Sequence, residues 1–190
     1  LVESRHELIS DLVGSNVIPD RTTERRLLSW LLNFKGHVGE FAKYLVSEEV
    51  RAALDARLIS QLTPILQSGA PTVLITHSFG TVVAHHTLRS LSGMPRPALH
   101  CTLGSPLWMP SVRRVLELDR RASGCDYWVN ISAKGDLLGA SLAGKFAVDE
   151  DHSVPAVGRG TANQSYFDHD NVTVQRDIVA LAISRIASAR

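Results

Sequence analysis

The chain is short of most features that assign a protein to a class at sight. Lysine and arginine number 20 and aspartate and glutamate 19, which leaves a net charge of +1 with histidine neutral. That balance gives no electrostatic case for nucleic acid, whose binding depends on neutralising phosphates. The arginine pairs at 25–26, 113–114 and 120–121 are scattered and read as helix-surface charges. No apolar run approaches the roughly 20 residues of a membrane-spanning helix, so no stable membrane span is expected. Cysteine is almost absent. Cys101 and Cys125 do not make a disulfide framework, and Cys101, inside an apolar strand pattern, reads as a buried free thiol. No set of His, Cys and Asp shows metal-ligand spacing, so neither a metal nor another cofactor is expected. The first residue is Leu1 and no signal-peptide pattern is present, which leaves a cytoplasmic location as the expectation.

What is present is a globular composition, 44% hydrophobic and 21% charged, in a length that suits one domain, residues 1–190, or a piece of one. Residues 1–37 read as helical or as a cap or lid, with Leu27, Leu28, Trp30, Leu31 and Leu32 as an apolar run. From Val38, helical spacing places Val38, Phe41, Ala42 and Leu45 on one face. After the step Ser47-Glu48-Glu49, a possible cap, Leu54, Leu58, Leu62 and Ile65 continue it. Pro64 should kink or end that helix.

The chain is organised around residues 73–81. Val73 to Thr76 are apolar and β-branched and read as a buried strand. Thr76-His77-Ser78-Phe79-Gly80 is a tight turn, and Thr81, Ala84, Leu88 and Leu91 follow at helical spacing. Strand, sharp serine turn and helix make the architecture of a nucleophile elbow, in which small residues are expected two before and two after the serine. Gly80 fits and Thr76 departs tolerably. The turn leaves the Phe79 backbone N–H to face a developing oxyanion, aided by the helix N-terminus. An ordinary βα turn with a chance serine is the bland alternative.

Two further strands are expected, Ala98 to Leu103 and Tyr127 to Ile131. A helix between them carries Val112, Val115 and Leu116. Residues 139–165 read mainly as loop, and a last helix from about Asp170 has Val172, Val179, Ile183 and Ile186 on one face. Strands alternating with helices imply an α/β fold with a parallel sheet, whose active groups sit at the carboxyl ends of strands. Ser78 follows the first strand and Asp136 the third.

Thr76-His77-Ser78-Phe79-Gly80-Thr81, Leu103-Gly104-Ser105-Pro106, and Trp128-Val129-Asn130 with Asp136 together resemble an α/β-hydrolase of the lipase and esterase kind, over residues 38–190. The resemblance implies a mostly parallel sheet and the chain order serine, acid, histidine. Ser78 is then the nucleophile, Asp136 the acid and His169, just before the terminal helix, the base. Asp149 and Asp151 are alternatives for the acid, and Gly135-Asp136 also suits a plain turn; Asp126 precedes its strand, at the wrong end. His152 competes with His169. His85 and His86 fall below the site, His77 points away from the serine hydroxyl, His100 lies within a strand, and His6 and His37 lie upstream.

The resemblance also implies earlier strands and a His-Gly loop giving a second oxyanion amide. Gly36-His37 has the wrong order and no strand before it. N-terminal strands are therefore expected to be missing, with an upstream segment or another copy of the chain completing the sheet; the alternative is a minimal or degenerate version of the fold. The expected activity is hydrolysis of a small-molecule acyl ester, thioester or amide. Leu27–Leu32 with Leu107, Trp108 and Met109 hint at an apolar acyl group, or else form core. The alternative is a non-catalytic hydrolase-fold module that binds another protein through an apolar sheet edge.

Overall fold

A computed structural model describes residues 37–91, 93–118, 124–157, 165–168 and 171–188; the apolar run Leu27–Leu32 lies outside them. Helix α1 (His37–Val46) and helix α2 (Glu48–Gln67) part at Ser47, whose extended backbone and side-chain oxygen cap α2 by accepting from the Val50 N–H at 3.3 Å. Glu48 and Glu49 then sit in the first turn, where negative charge suits the helix dipole. Pro64 does not end α2, which runs through it to Gln67. A proline this close to the C-terminus forfeits one backbone bond, while Leu62 and Leu66 on either side are buried. Ile65, expected to face inward, is 50% exposed.

Four strands lie side by side in sequence order, all parallel: β1 (Val73–His77), β2 (Leu99–Leu103), β3 (Trp128–Ala133) and β4 (Glu150–Val154). The architecture is therefore α/β, as expected, but with four strands rather than three. β4 arises within the stretch read as loop. Its residues Glu-Asp-His-Ser-Val are mostly polar and carry no apolar period; it is an edge strand, held by its backbone ladder to β3 and by the Asn130 amide donating to Asp151 at 2.9 Å.

Helix α3 (Phe79–Ser90) crosses from β1 to β2, and a 3-10 turn (Pro106–Trp108) with the short helix α4 (Pro110–Val115) joins β2 to β3. Alternation along the strands sorts the sheet into two faces. One carries His100 and Trp128, over which His85 of α3 stacks at 4.8 Å from Trp128. The other carries Leu99, Cys101, Leu103, Val129, Ile131, Ala133 and Val154, packed against Tyr166, Val174 and Ala182. Both cysteines are buried, Cys101 as expected, and burial pushes each thiol up to about 12.

The terminal segment is π-helical over Thr173–Val179 and continues as α5 (Ala180–Ser188). Its buried residues are Val174 and Ala182, while Val172 and Ile183 are exposed. Half of the expected face holds, with Val179 and Ile186 packed against the Val174 and Ala182 cluster; i→i+5 winding widens the turn and shifts the phase enough to bring Val174 and Ala182 inward as well. β1 is not the buried strand its apolar run suggests: it ends the strand order, and Val73 and Ile75 are 37% and 47% exposed. Among the described residues no helix is long and apolar enough to cross a membrane.

Candidate active site

Ser78 leaves β1 with φ 51° and ψ −130°. It is one of two described residues other than glycine with positive φ, Glu117 being the second. Holding an L residue there costs of order 1–3 kcal/mol and persists only where neighbours over-determine it. They do so here. The Ser78 N–H donates to the Leu103 carbonyl at 2.9 Å. The Ser78 carbonyl accepts from the Thr81 N–H at 3.0 Å and from the Thr81 hydroxyl at 2.6 Å. Thr81 Oγ1 lies 2.8 Å from Ser105 Oγ, which also accepts from the Leu107 N–H, and both hydroxyl residues are fully buried. The Ser78 hydroxyl makes no capping bond of its own.

The turn does not demand small neighbours in the way its sequence suggests. A Cβ on Gly80 would meet nothing within 4 Å among the described residues, and Thr76 fits with its hydroxyl 2.9 Å from His100 Nε2. The constraint lies in the Ser78 backbone. Phe79 opens α3, so its N–H belongs to the first turn, which has no intrahelical acceptor. Its ring packs against Phe41 and Tyr44 of α1 at 5.1 and 5.3 Å between centroids.

Asp136 stands after β3 in a turn closed by its N–H on the Ala133 carbonyl at 3.0 Å, with Gly135 at φ 85°. Asp136 Oδ1 accepts from the Leu138 N–H at 2.9 Å, and Oδ2 accepts from the Tyr166 hydroxyl at 2.7 Å. A Cβ on Gly139 would lie 2.6 Å from Asp136 Oδ2, 2.6 Å from Gly104 Cα and 2.8 Å from the Tyr166 hydroxyl. Gly104 follows Leu103, whose carbonyl holds Ser78. The turns of Ser78, Gly104 and Asp136 thus adjoin at the carboxyl end of the sheet, on three neighbouring strands. His169 lies outside the described residues. Tyr166 and Phe167, shortly before it, pack on His77 at 5.7 and 4.9 Å between ring centroids.

The other candidates are placed elsewhere. His152 sits within β4, three strands or about 14 Å from β1, with Nε2 2.7 Å from Glu150 Oε2. Asp149 accepts from the Trp128 N–H at the start of β3, the far end from Ser78. Asp151 accepts from Asn130, Ser141 and the backbone N–H groups of Leu142 and Ala143, which makes it the anchor of that loop. Asp126 also lies at the far end, its N–H on the Pro97 carbonyl. Burial first, then neighbouring positive charge, pushes His85 down to about 3, and burial does the same for His100. His86 bonds Asp55 at 2.8 Å. Burial opposes the Asp55 charge, but hydrogen bonds from His86, Tyr44 and Thr87 outweigh it and hold its carboxyl below the usual range. Leu107 and Met109 belong to the core; Trp108 is half-buried and donates to the Leu138 carbonyl at 2.7 Å.

Sequence reading missed Thr81, Ser105, Tyr166 and Gly139 as parts of this site. A threonine three residues after the serine was a readable signal, because a hydroxyl at that spacing returns to the turn carbonyl. Tyr166, 30 residues beyond Asp136, carried none. Among the described residues no group of His, Cys, Asp and Glu is gathered to hold a metal ion. No family model, no curated protein and no solved structure matches this chain.

Proposed function

We propose that the chain is a serine hydrolase of the α/β-hydrolase kind that cleaves a carboxylic ester, or the related thioester or amide, through an acyl-enzyme. Ser78 Oγ attacks the acyl carbonyl while His169 takes its proton. The oxyanion that forms is held at the Phe79 N–H. The tetrahedral adduct then expels the alcohol, thiol or amine, which takes the proton from the imidazolium, and Ser78 keeps the acyl group. Water, deprotonated by the same imidazole, releases the acid and restores the serine. Asp136 orients the imidazole and stabilises its charged form.

The observation that carries this is the Ser78 backbone. A βα turn with no chemical task relieves positive φ with glycine. Here a serine is kept in the strained region, its carbonyl braced by buried Thr81, and its hydroxyl makes no capping bond to α3. The adjoining carboxylate of Asp136 on the second strand over adds support. Release of p-nitrophenol from acyl esters of graded chain length tests the proposal. Wild-type turnover should fall by roughly 10⁴-fold or more in Ser78→Ala and His169→Ala, the scale on which loss of a triad member acts. The exposed apolar pair Val73 and Ile75 on the outer strand favours the second reading, a protein-binding module without activity; a folded chain inert toward every ester would turn the assignment that way.

A further inference from the structure

We infer that Tyr166 is a positioning residue of this site, fixing the Asp136 carboxylate and tuning the basicity of the imidazole that Asp136 serves. The inference rests on the hydrolase proposal above and extends it to the control of its acid.

The hydrogen-bond directions at Tyr166 are forced. Its oxygen accepts from the Ala133 N–H at 2.7 Å, so the one hydroxyl proton is left for Asp136 Oδ2, also at 2.7 Å. Burial, then the adjacent Asp136 charge, raises the phenol above its ordinary range, so it stays a donor. Ala133 is the last residue of β3 and Asp136 lies three residues beyond. The tyrosine therefore clamps the acid turn to the strand that presents it. The Leu138 N–H holds the other carboxylate oxygen. With a donor on each oxygen, the carboxylate plane is set by the fold.

Two further contacts make this more than a core hydrogen bond. The missing side chain of Gly139 leaves the space in which carboxylate and phenol meet, since a Cβ there would intrude on both. The Tyr166 ring also packs on His77, the residue before Ser78. One side chain, 1% exposed, thus touches the nucleophile's strand and holds the acid.

The sign of the effect follows from charge. A phenol proton on Oδ2 disperses the carboxylate charge, which weakens its hold on an imidazolium. Removing the proton makes Asp136 a stronger partner and raises the imidazole pKa. The deciding experiment is the rate at which a fluorophosphonate labels Ser78 in the full chain, followed against pH. In Tyr166→Phe the acid limb should move up by about half a pH unit or more, and the plateau rate should fall about tenfold, the worth of one ordinary hydrogen bond to a charge. 3-Fluorotyrosine at position 166, a stronger donor that keeps the shape, should move the limb down. In an Asp136→Asn background Tyr166→Phe should change nothing further.

Circular dichroism checks that each variant folds, and the fluorotyrosine chain decides the matter if the phenylalanine variant does not. A wild type that labels at Ser78, with a limb and plateau unmoved by either replacement, would overturn the role of Tyr166 alone. A folded wild type that never labels would overturn this role together with the hydrolase proposal.

Discussion

Ser78 concentrates the strain of the site in one residue, and that strain is measurable without any substrate. Both Ser78→Ala and Ser78→Gly remove the hydroxyl, but only alanine keeps the Cβ that positive φ penalises. Denaturant unfolding should find the glycine variant about 1 kcal/mol more stable than the alanine variant. Equal stabilities would mean that the backbone relaxes and that no strain is stored. Thr81→Val removes one of the two donors on the Ser78 carbonyl and leaves the buried Ser105 hydroxyl without that neighbour. It should cost about 1–3 kcal/mol and slow esterase turnover by more than its stability loss explains. At this scale the sequence was legible where chemistry and spacing coincide. Ser78 between a β-branched run and a helical period announces the turn, and Asp136 after the third strand announces a carboxylate at the same end of the sheet. Tyr166 and Gly139 were not legible, because their role exists only once residues distant in sequence are folded together.

Among the elements, β1, α3, β2 and β3 could be read because apolar periods mark them. β4 could not, since edge pairing and the side chain of Asp151 do for it what apolar residues do for the others. Asp151→Ala would leave the Asn130 amide, the Ser141 hydroxyl and the backbone N–H groups of Leu142 and Ala143 without their acceptor. A loss of about 3 kcal/mol is expected, with amide hydrogen exchange rising first in β4 and in residues 141–143. If exchange rose uniformly instead, β4 would be held by its backbone ladder alone. The last helix shows a different limit. Val179 and Ile186 of its expected face pack inward, but with a π-helical start Val174 and Ala182 are buried where Val172 and Ile183 were expected.

On the scale of the whole molecule, the sheet holds two neutral imidazoles against Trp128. His85 and His100 stack with that ring at 4.8 and 6.0 Å, and among the described residues His85 Nε2 and His100 Nδ1 find no hydrogen-bond partner. Burial depresses both from 6.5 to about 3 in the folded chain. The unfolded chain therefore takes up these protons first. Above pH 6.5 their burial carries no proton-linked cost, and stability falls as pH drops from there toward 3, by up to about 1.4 kcal/mol per pH unit for each imidazole. Urea unfolding at pH 7 and pH 5 should show the loss, and His85→Phe should flatten the dependence by about half. An unchanged slope would remove His85 as a cause.

The central claim concerns chemistry at one atom, and it is tested most directly by treating the folded chain with a fluorophosphonate and locating the adduct by mass spectrometry. A single adduct on Ser78, absent from Ser78→Ala and from His169→Ala, is the predicted result. If His152→Ala abolished it instead, the base would be misassigned. No adduct on the folded wild type, or one on a different residue, would contradict an activated serine.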